Sequence, residues 1–387
     1  MIKTLTASTE YIDDLDAAVK DIQDQLDREH NLLKHSAGII TCHYEFALSG
    51  AAAAIGKALP FDTLGTITSA HGTAGGAGVL RLSLMVLTSD DVRFKTALTP
   101  SLKTEPARGI KDTYDQNTAG EKKPGLILTY APFMVENSGD EYVRVLGEVS
   151  GGAPCFGTLA VDDTPDFHNC FMLHNGEYYN DRMSLLFMYG PVKPRFFLAA
   201  ISKEKVLDRS ALITASEGHV LKEVNDKPVE NYFEDMGLTR ASETAYAMTS
   251  LPFMLDYGDG TPLVARVFIG LNENKEAICA GAMPRGAVLY MAVFDKDDVL
   301  FTTGGAIDEA LAAVPGASGM LIYSCLSRSM TLAGDQFAET DIVTKKIAGG
   351  FPFMLAYSGG EICPTTISAD TAVNRFHNNT CIICAFE

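Results

Sequence analysis

"SGMLIYSCLS" (residues 318–327) decides how this chain folds, because of the segments that come after it. A helical stretch comes next, then "FPFMLAYSGGE" (351–361) and "TCIICAF" (380–386). Apolar, β-branched runs bounded by Gly, Pro and Asn read as strands. The order is therefore strand, helix, strand, strand. The same order occurs early in the chain. "AGIITCHYEF" (37–46) leads into the alanine-rich helix "ALSGAAAAIGKAL" (47–59), then "LPFDTLGTITSAHG" (59–72) and "LRLSLMVL" (80–87). Pro-Phe-Met also recurs, at Pro132, Pro252 and Pro352, but its unequal spacing is not that of a solenoid. Strands outnumber helices without regular alternation, which predicts an α+β fold. The expected organisation is two related mixed-sheet domains, residues 1–205 and 206–387, each with packed helices, layered as an α/β/β/α sandwich.

The composition suits packed domains: 47% of the 387 residues are hydrophobic and 21% charged. A net charge of −18 repels polyanions, which argues against nucleic acid and anionic membrane as partners. The eight cysteines are scattered. The first residues lack a basic segment leading into an apolar one, and no apolar run reaches the ~18 residues of a membrane span. A cytoplasmic protein with reduced thiols is expected.

Local patterns fill in the rest. Ile12, Leu15, Val19, Ile22 and Leu26 make one apolar stripe, which predicts a helix from Ser8 or Thr9 to about Lys34. The glycine-rich loop His71 to Gly78 runs into a strand, so it reads as a hairpin connection and not as a phosphate cradle. "GLILTYAPFM" (125–134) and "EYVRVLGEV" (141–149) read as strands, and "SGGAPCFGTLAVDD" (150–163) as turn-rich. "DVLFTTGGAIDEALAAV" (298–314) reads as a strand end entering a helix. A hairpin is expected at Glu217-Gly218, with Pro228 opening a short helix.

Signature motifs for serine hydrolases, zinc peptidases, P-loops and dinucleotide binding are absent. His377, Cys381 and Cys384 have ligand-like spacing. In a strand, however, positions three apart face opposite sides, and Ile382-Ile383 is a poor turn. That run reads as a closing strand, and no metal or cofactor is expected. Cys325 is a candidate nucleophile beside Arg328, or simply a buried thiol. The stretch "AYSGGEICP" (356–364) holds Tyr357, Gly359, Gly360 and Glu361 between a strand and a proline. Two readings stay open: Arg328 and Glu361 form a buried pair, or they line a cleft for a small zwitterion. In the second, Arg328 meets an anionic group, Glu361 a cationic one, and the glycines let the backbone approach.

These residues also carry a family resemblance. "LIYSCLSR", the acidic Glu339, "GGFPFMLAYSGGEICP" and "FHNNTCIICAF" resemble the end of a FIST C-terminal domain. "ALITASEGHVLKEVNDKPVENYFEDMGL" (211–238) is similar to that domain's opening hairpin. The opening helix, "GIITCHYEF" and "FGTLAVDD" resemble the N-terminal domain of the same family. Ser327 stands where the family usually has Gly, and "TSAHG" (68–72) replaces the first half's usual S-x-G-E-I-like segment. The resemblance implies a non-enzymatic intracellular sensory module that binds a small polar ligand such as an amino acid, without membrane insertion, and signals through a protein partner. Its site would comprise Cys325, Arg328, Tyr357, Gly359, Gly360 and Glu361. Two alternatives are an enzyme using Cys325 or a carboxylate, and a haem sensor ligated by His43, His71 or His219.

Overall fold

The strand–helix–strand–strand set occurs at both places where the sequence shows it, and once more between them. The computed structural model describes residues 1–28, 32–134, 138–164, 167–238, 249–368 and 371–387. The first unit has a leading strand Lys3–Thr9 and a helix Leu15–Arg28, then strand His35–Cys42. Helices Tyr44–Leu48 and Ala51–Ala58 lead to strand Thr63–Ile67, a small hairpin His71–Thr73/Gly76–Gly78, and strand Leu82–Ser89. The second unit repeats this as Arg93–Leu98, helix Pro106–Thr118, Leu126–Pro132, helix Gly139–Val149, Cys155–Ala160, hairpin Met172–His174/Glu177–Tyr179, and Ser184–Tyr189. The third runs Arg195–Ala199, helix Lys296–Ala313, Gly319–Cys325, and helices Leu326–Thr331 and Ala338–Ile347. It ends with Phe353–Ser358, hairpin Glu361–Ser368/Thr371–His377, and Cys381–Phe386.

In each unit the two strands joined by the inner helix lie parallel, as a helical crossover requires. The hairpins are exchanged in a cycle. The first unit's hairpin pairs with Phe353–Ser358, the second's with Thr63–Ile67, and the third's with Cys155–Ala160. Each six-stranded sheet thus has its exposed edge covered by a neighbouring unit. Inward-facing Ile39 and Leu64, Leu128 and Phe156, and Leu321 and Met354 meet in one shared core. Outward faces pack on helix pairs, so any two units stack as helix, sheet, sheet, helix.

Strand alternation does what the sequence spacing predicts at the C-terminus. Ile382 and Cys384 point into the shared core, while Cys381 and Ile383 point to the helices. Among the described residues no group of His, Cys, Asp and Glu could hold a metal, and no helix is long and apolar enough to cross a membrane.

A seven-strand path forms the remaining sheet, inserted between Arg195–Ala199 and helix Lys296–Ala313. It includes Ala211–Glu217, Val220–Val224, Phe253–Asp256, Val264–Arg266, Phe268–Leu271, Ala277–Cys279 and Val288–Met291. Its own core contains Phe233, Phe253 and Phe268. Arg266 fastens it to the other units. This fully buried guanidinium donates to Asp140 at 2.7 Å and to the carbonyl of Phe376 at 3.1 Å.

Several local expectations are corrected. "EYVRVLGEV" is not a strand but the body of helix Gly139–Val149, capped by the Ser138 hydroxyl, which accepts from the Asp140 amide. Its Tyr142, Val143 and Leu146 form a helical stripe, and the valines misled a reading by β-propensity. The "turn-rich" segment contains the buried strand Cys155–Ala160. There a Cβ on Gly157 would lie 1.9 Å from the Thr129 carbonyl oxygen, so only glycine fits. Gly65 repeats this in the first unit, at 1.8 Å from the Ile40 oxygen, while the third unit carries Leu355 at the same register. "DVLF" belongs wholly to helix Lys296–Ala313, started by an Asp295/Asp298 capping box. The first helix begins at Leu15, after a strand that includes Ser8 and Thr9. Its expected continuation passes through residues 29–31, which lie outside the described residues, and residues 32–34 are not helical.

Candidate functional site

The parallel strands Gly319–Cys325 and Phe353–Ser358 end side by side, with Cys325 opposite Ser358. Both chain ends turn there, one into helix Leu326–Thr331 and one through Gly359-Gly360 into the hairpin. A Cβ on Gly360, at φ +122°, would lie 2.4 Å from the Phe376 ring, so this turn is specific to glycine. The buried turn His377 to Thr380 closes the same corner.

A cleft of about 100 Å³ opens at this corner. Phe133, Val161 and Phe167 from the second unit, Val267 and Ile269 from the inserted sheet, and Met330 from the third form its apolar walls. Thr249, Cys325, Ser327, Ser358, Gly359 and Asn378 complete the lining. The cleft therefore lies where the inserted sheet meets two of the units.

Of the residues singled out in the sequence, Cys325 and Gly359 line the cleft. Glu361 sits directly behind. It is fully buried, its carboxyl accepts from Ser358 Oγ at 3.2 Å and Thr380 Oγ1 at 2.8 Å, and the Cys325 thiol is a further hydrogen-bonding neighbour. Burial holds this carboxyl well above the usual carboxylate range, against the opposing pull of Thr380, Ser358 and the more remote Arg328. Burial thus works against the charged form of Glu361. Burial, then Glu361, pushes the Cys325 thiol up to about 12, so it is not a thiolate.

Arg328 and Tyr357 are placed elsewhere. Arg328 does not pair with Glu361. Its Nε and Nη2 donate to Glu339 Oε1 at 3.1 and 3.0 Å, and Nη2 also donates to Thr303 Oγ1 at 2.7 Å and the Val299 carbonyl at 3.0 Å. Nη1 reaches the Ala199 carbonyl at 3.4 Å. Glu339 takes a further bond from Ser324 Oγ at 2.8 Å and another from Thr303. This buried, saturated network ties three helices to the sheet. Tyr357 faces the same network from the outer side of its strand, and burial followed by the Glu339 charge raises its phenol.

None of the histidines considered as haem ligands lines the cleft. His43 caps helix Tyr44–Leu48 and lies 3.3 Å from Asp163. His71 is fully buried against Thr68, and burial with the nearby Arg81 and His43 lowers it to about 3. His219 borders a small adjoining crevice that shares Phe133, Ile269 and Ala280 with the cleft. His71 stands opposite Ala356 as Glu361 stands opposite Thr158, so the first unit carries His71 where the third has its buried acid.

Sequence reasoning missed most of the walls. Phe133, Phe167, Val267 and Ile269 come from three distant segments, and no local pattern marks them as partners. Asn378 was legible only as part of a turn, although two adjacent asparagines before a strand were a signal of special backbone.

Two family models match the chain, and their boundary falls within the inserted sheet. The model described as the FIST N domain matches residues 36–227, and that described as the FIST C domain matches residues 228–364. No curated protein matches the chain. Among solved structures, phosphoribosylformylglycinamidine synthase II from Thermotoga maritima aligns over 100% of this chain and 71% of its own, at 8% identity and a TM-score of 0.18. A likeness that slight carries no argument about fold or function. The two domain matches together span most of the sequence, and the chain belongs to the FIST family of sensory, signal-transduction domains.

Proposed function

We propose that this protein senses a small molecule held in the cleft between the inserted sheet and the second and third units. The observation that carries this reading is the lining: apolar walls from separate parts of the fold over a few buried polar atoms. Such a lining suits a small ligand with an apolar body and one polar group. It narrows the expectation of a polar metabolite such as an amino acid. Arg328 is fully engaged by Glu339, so a ligand carboxylate would find no cation there among the described residues. A ligand touching Val267, Ile269 and Ala280 on one side and Ser327 and Ser358 on the other would bias how the inserted sheet seats. That is a route by which occupancy reaches a protein partner.

The thiol alternative draws less support, because Cys325 is held protonated. The haem alternative draws less too, because the cleft lining has no histidine among the described residues. The test is a thermal-shift screen of small metabolites, repeated on Ala280→Phe, which fills the cleft from its rim. Stabilisation at millimolar ligand that disappears in the variant is expected. No stabilisation by any compound, or the same stabilisation in the variant, would refute the site.

A further inference from the structure

We propose that the cleft receives the head of its ligand as a primary ammonium, with Asn378 as its acceptor and Glu361 as the buried counter-charge. This rests on reading the cleft as the ligand site.

The first observation is an orphaned acceptor. Asn378 is fully buried on the cleft lining. Its Nδ2 donates to the His377 carbonyl at 3.0 Å, which fixes the amide orientation and leaves Oδ1 as the other end. That Oδ1 has no hydrogen-bond partner. A buried acceptor without a donor is costly, and this one belongs to a residue on the lining of an apolar cleft, where a ligand N–H or O–H could meet it.

The second observation is the charge around it. Glu361 lies one side chain behind the lining, bonded to Ser358 and next to Cys325, both of which line the cleft. The titratable groups facing it are Cys325 at the end of strand Gly319–Cys325, Cys363 on its own strand, His377 opposite in register, Cys381 on the closing strand, and Arg328 farther off. Burial keeps the three thiols neutral and holds His377 down at about 4, so it is uncharged too. Arg328, the one cation among these groups, is spent on Glu339. None of these groups therefore offers the buried acid a free counter-charge, and a cation arriving on the cleft side would supply one. An ammonium is such a cation. A carboxylate head would add a second unmet negative charge, and a neutral alcohol would use Asn378 alone.

The proton balance is simple. The empty site holds Glu361 as a carboxylic acid. When R–NH3+ enters, the Glu361 O–H bond breaks, its proton passes to solvent, and carboxylate and ammonium remain as a buried pair. Binding at pH 7 thus releases about one proton.

Isobutylamine, isobutanol and isobutyrate share one apolar body and differ in the head. Titration calorimetry at pH 7 in two buffers of different ionisation enthalpy counts the protons. The amine is expected to bind about tenfold or more tighter than the alcohol, isobutyrate weakest, with about one proton released. Glu361→Gln should lose both the preference for the amine and the proton release. Equal binding of amine and alcohol, no proton release by wild type, or an unchanged preference in Glu361→Gln would overturn the head-group assignment and leave the cleft reading intact. Failure of all three probes to bind would overturn both. The wild-type proton count does not depend on how well the variant folds.

Discussion

Glu339 and Glu361 sit in the same unit, and both are fully buried. Glu339 accepts from the Thr303 and Ser324 hydroxyls and has a guanidinium at 3.0 Å, so its charge is met inside the protein. Glu361 also has two hydroxyl donors, Ser358 and Thr380, but its nearest cation is spent elsewhere. The first is an ion pair that holds helices to a sheet, and the second is an uncompensated acid next to a cleft. Burial alone therefore says little about role; the number and sign of the partners decide it.

The largest effect should come from removing the cation. Arg328→Ala leaves Glu339 buried and unpaired and should cost about 3–5 kcal/mol, read as a lowered urea midpoint. A loss below about 1 kcal/mol would erase the contrast between the two acids. The double variant Arg328→Met/Glu339→Gln should recover part of that loss, since removing both charges is far less costly than stranding one.

Glu361 should behave in the opposite sense. Its folded pKa lies above the unfolded value near 4.5. Its contribution is therefore fully present below that value and is lost as pH rises through the folded pKa. Glu361→Gln should gain on wild type by about 1.4 kcal/mol per pH unit across that window. His71 and His377, lowered to about 3 and 4, act the other way, losing stability as pH falls below 6.5. They are common to both proteins and cancel in the difference. A flat difference between about pH 4.5 and 8 would mean that Glu361 is charged in the fold.

The smallest effect concerns the thiol. With Cys325 pushed up to about 12, native iodoacetamide labelling at about pH 7.5 should be far slower than in urea. Fast native labelling of Cys325 would restore the catalytic reading.

The α+β class and the strand–helix–strand–strand set were legible because alternation and helical stripes are local properties of the chain. So was the split of Cys381 and Cys384 between faces, which comes from the two-residue period of a strand. The recurring set was visible where the repeats are rich in apolar strands. It was hidden in residues 93–189, where Tyr142, Val143 and Val145 give a helix the look of a strand.

The sequence could place Arg328 and Glu361 at the same end of neighbouring strands, but not choose their partners. Arg328 leaves through a helix to one side and meets Glu339, while Glu361 enters a hairpin that crosses to another unit's sheet. That choice, and the meeting of Phe133, Val267 and Ser358 around one cleft, depends on exchanged hairpins and an inserted sheet. These are contacts between segments far apart in the chain, and side-chain pattern along it carries no record of them.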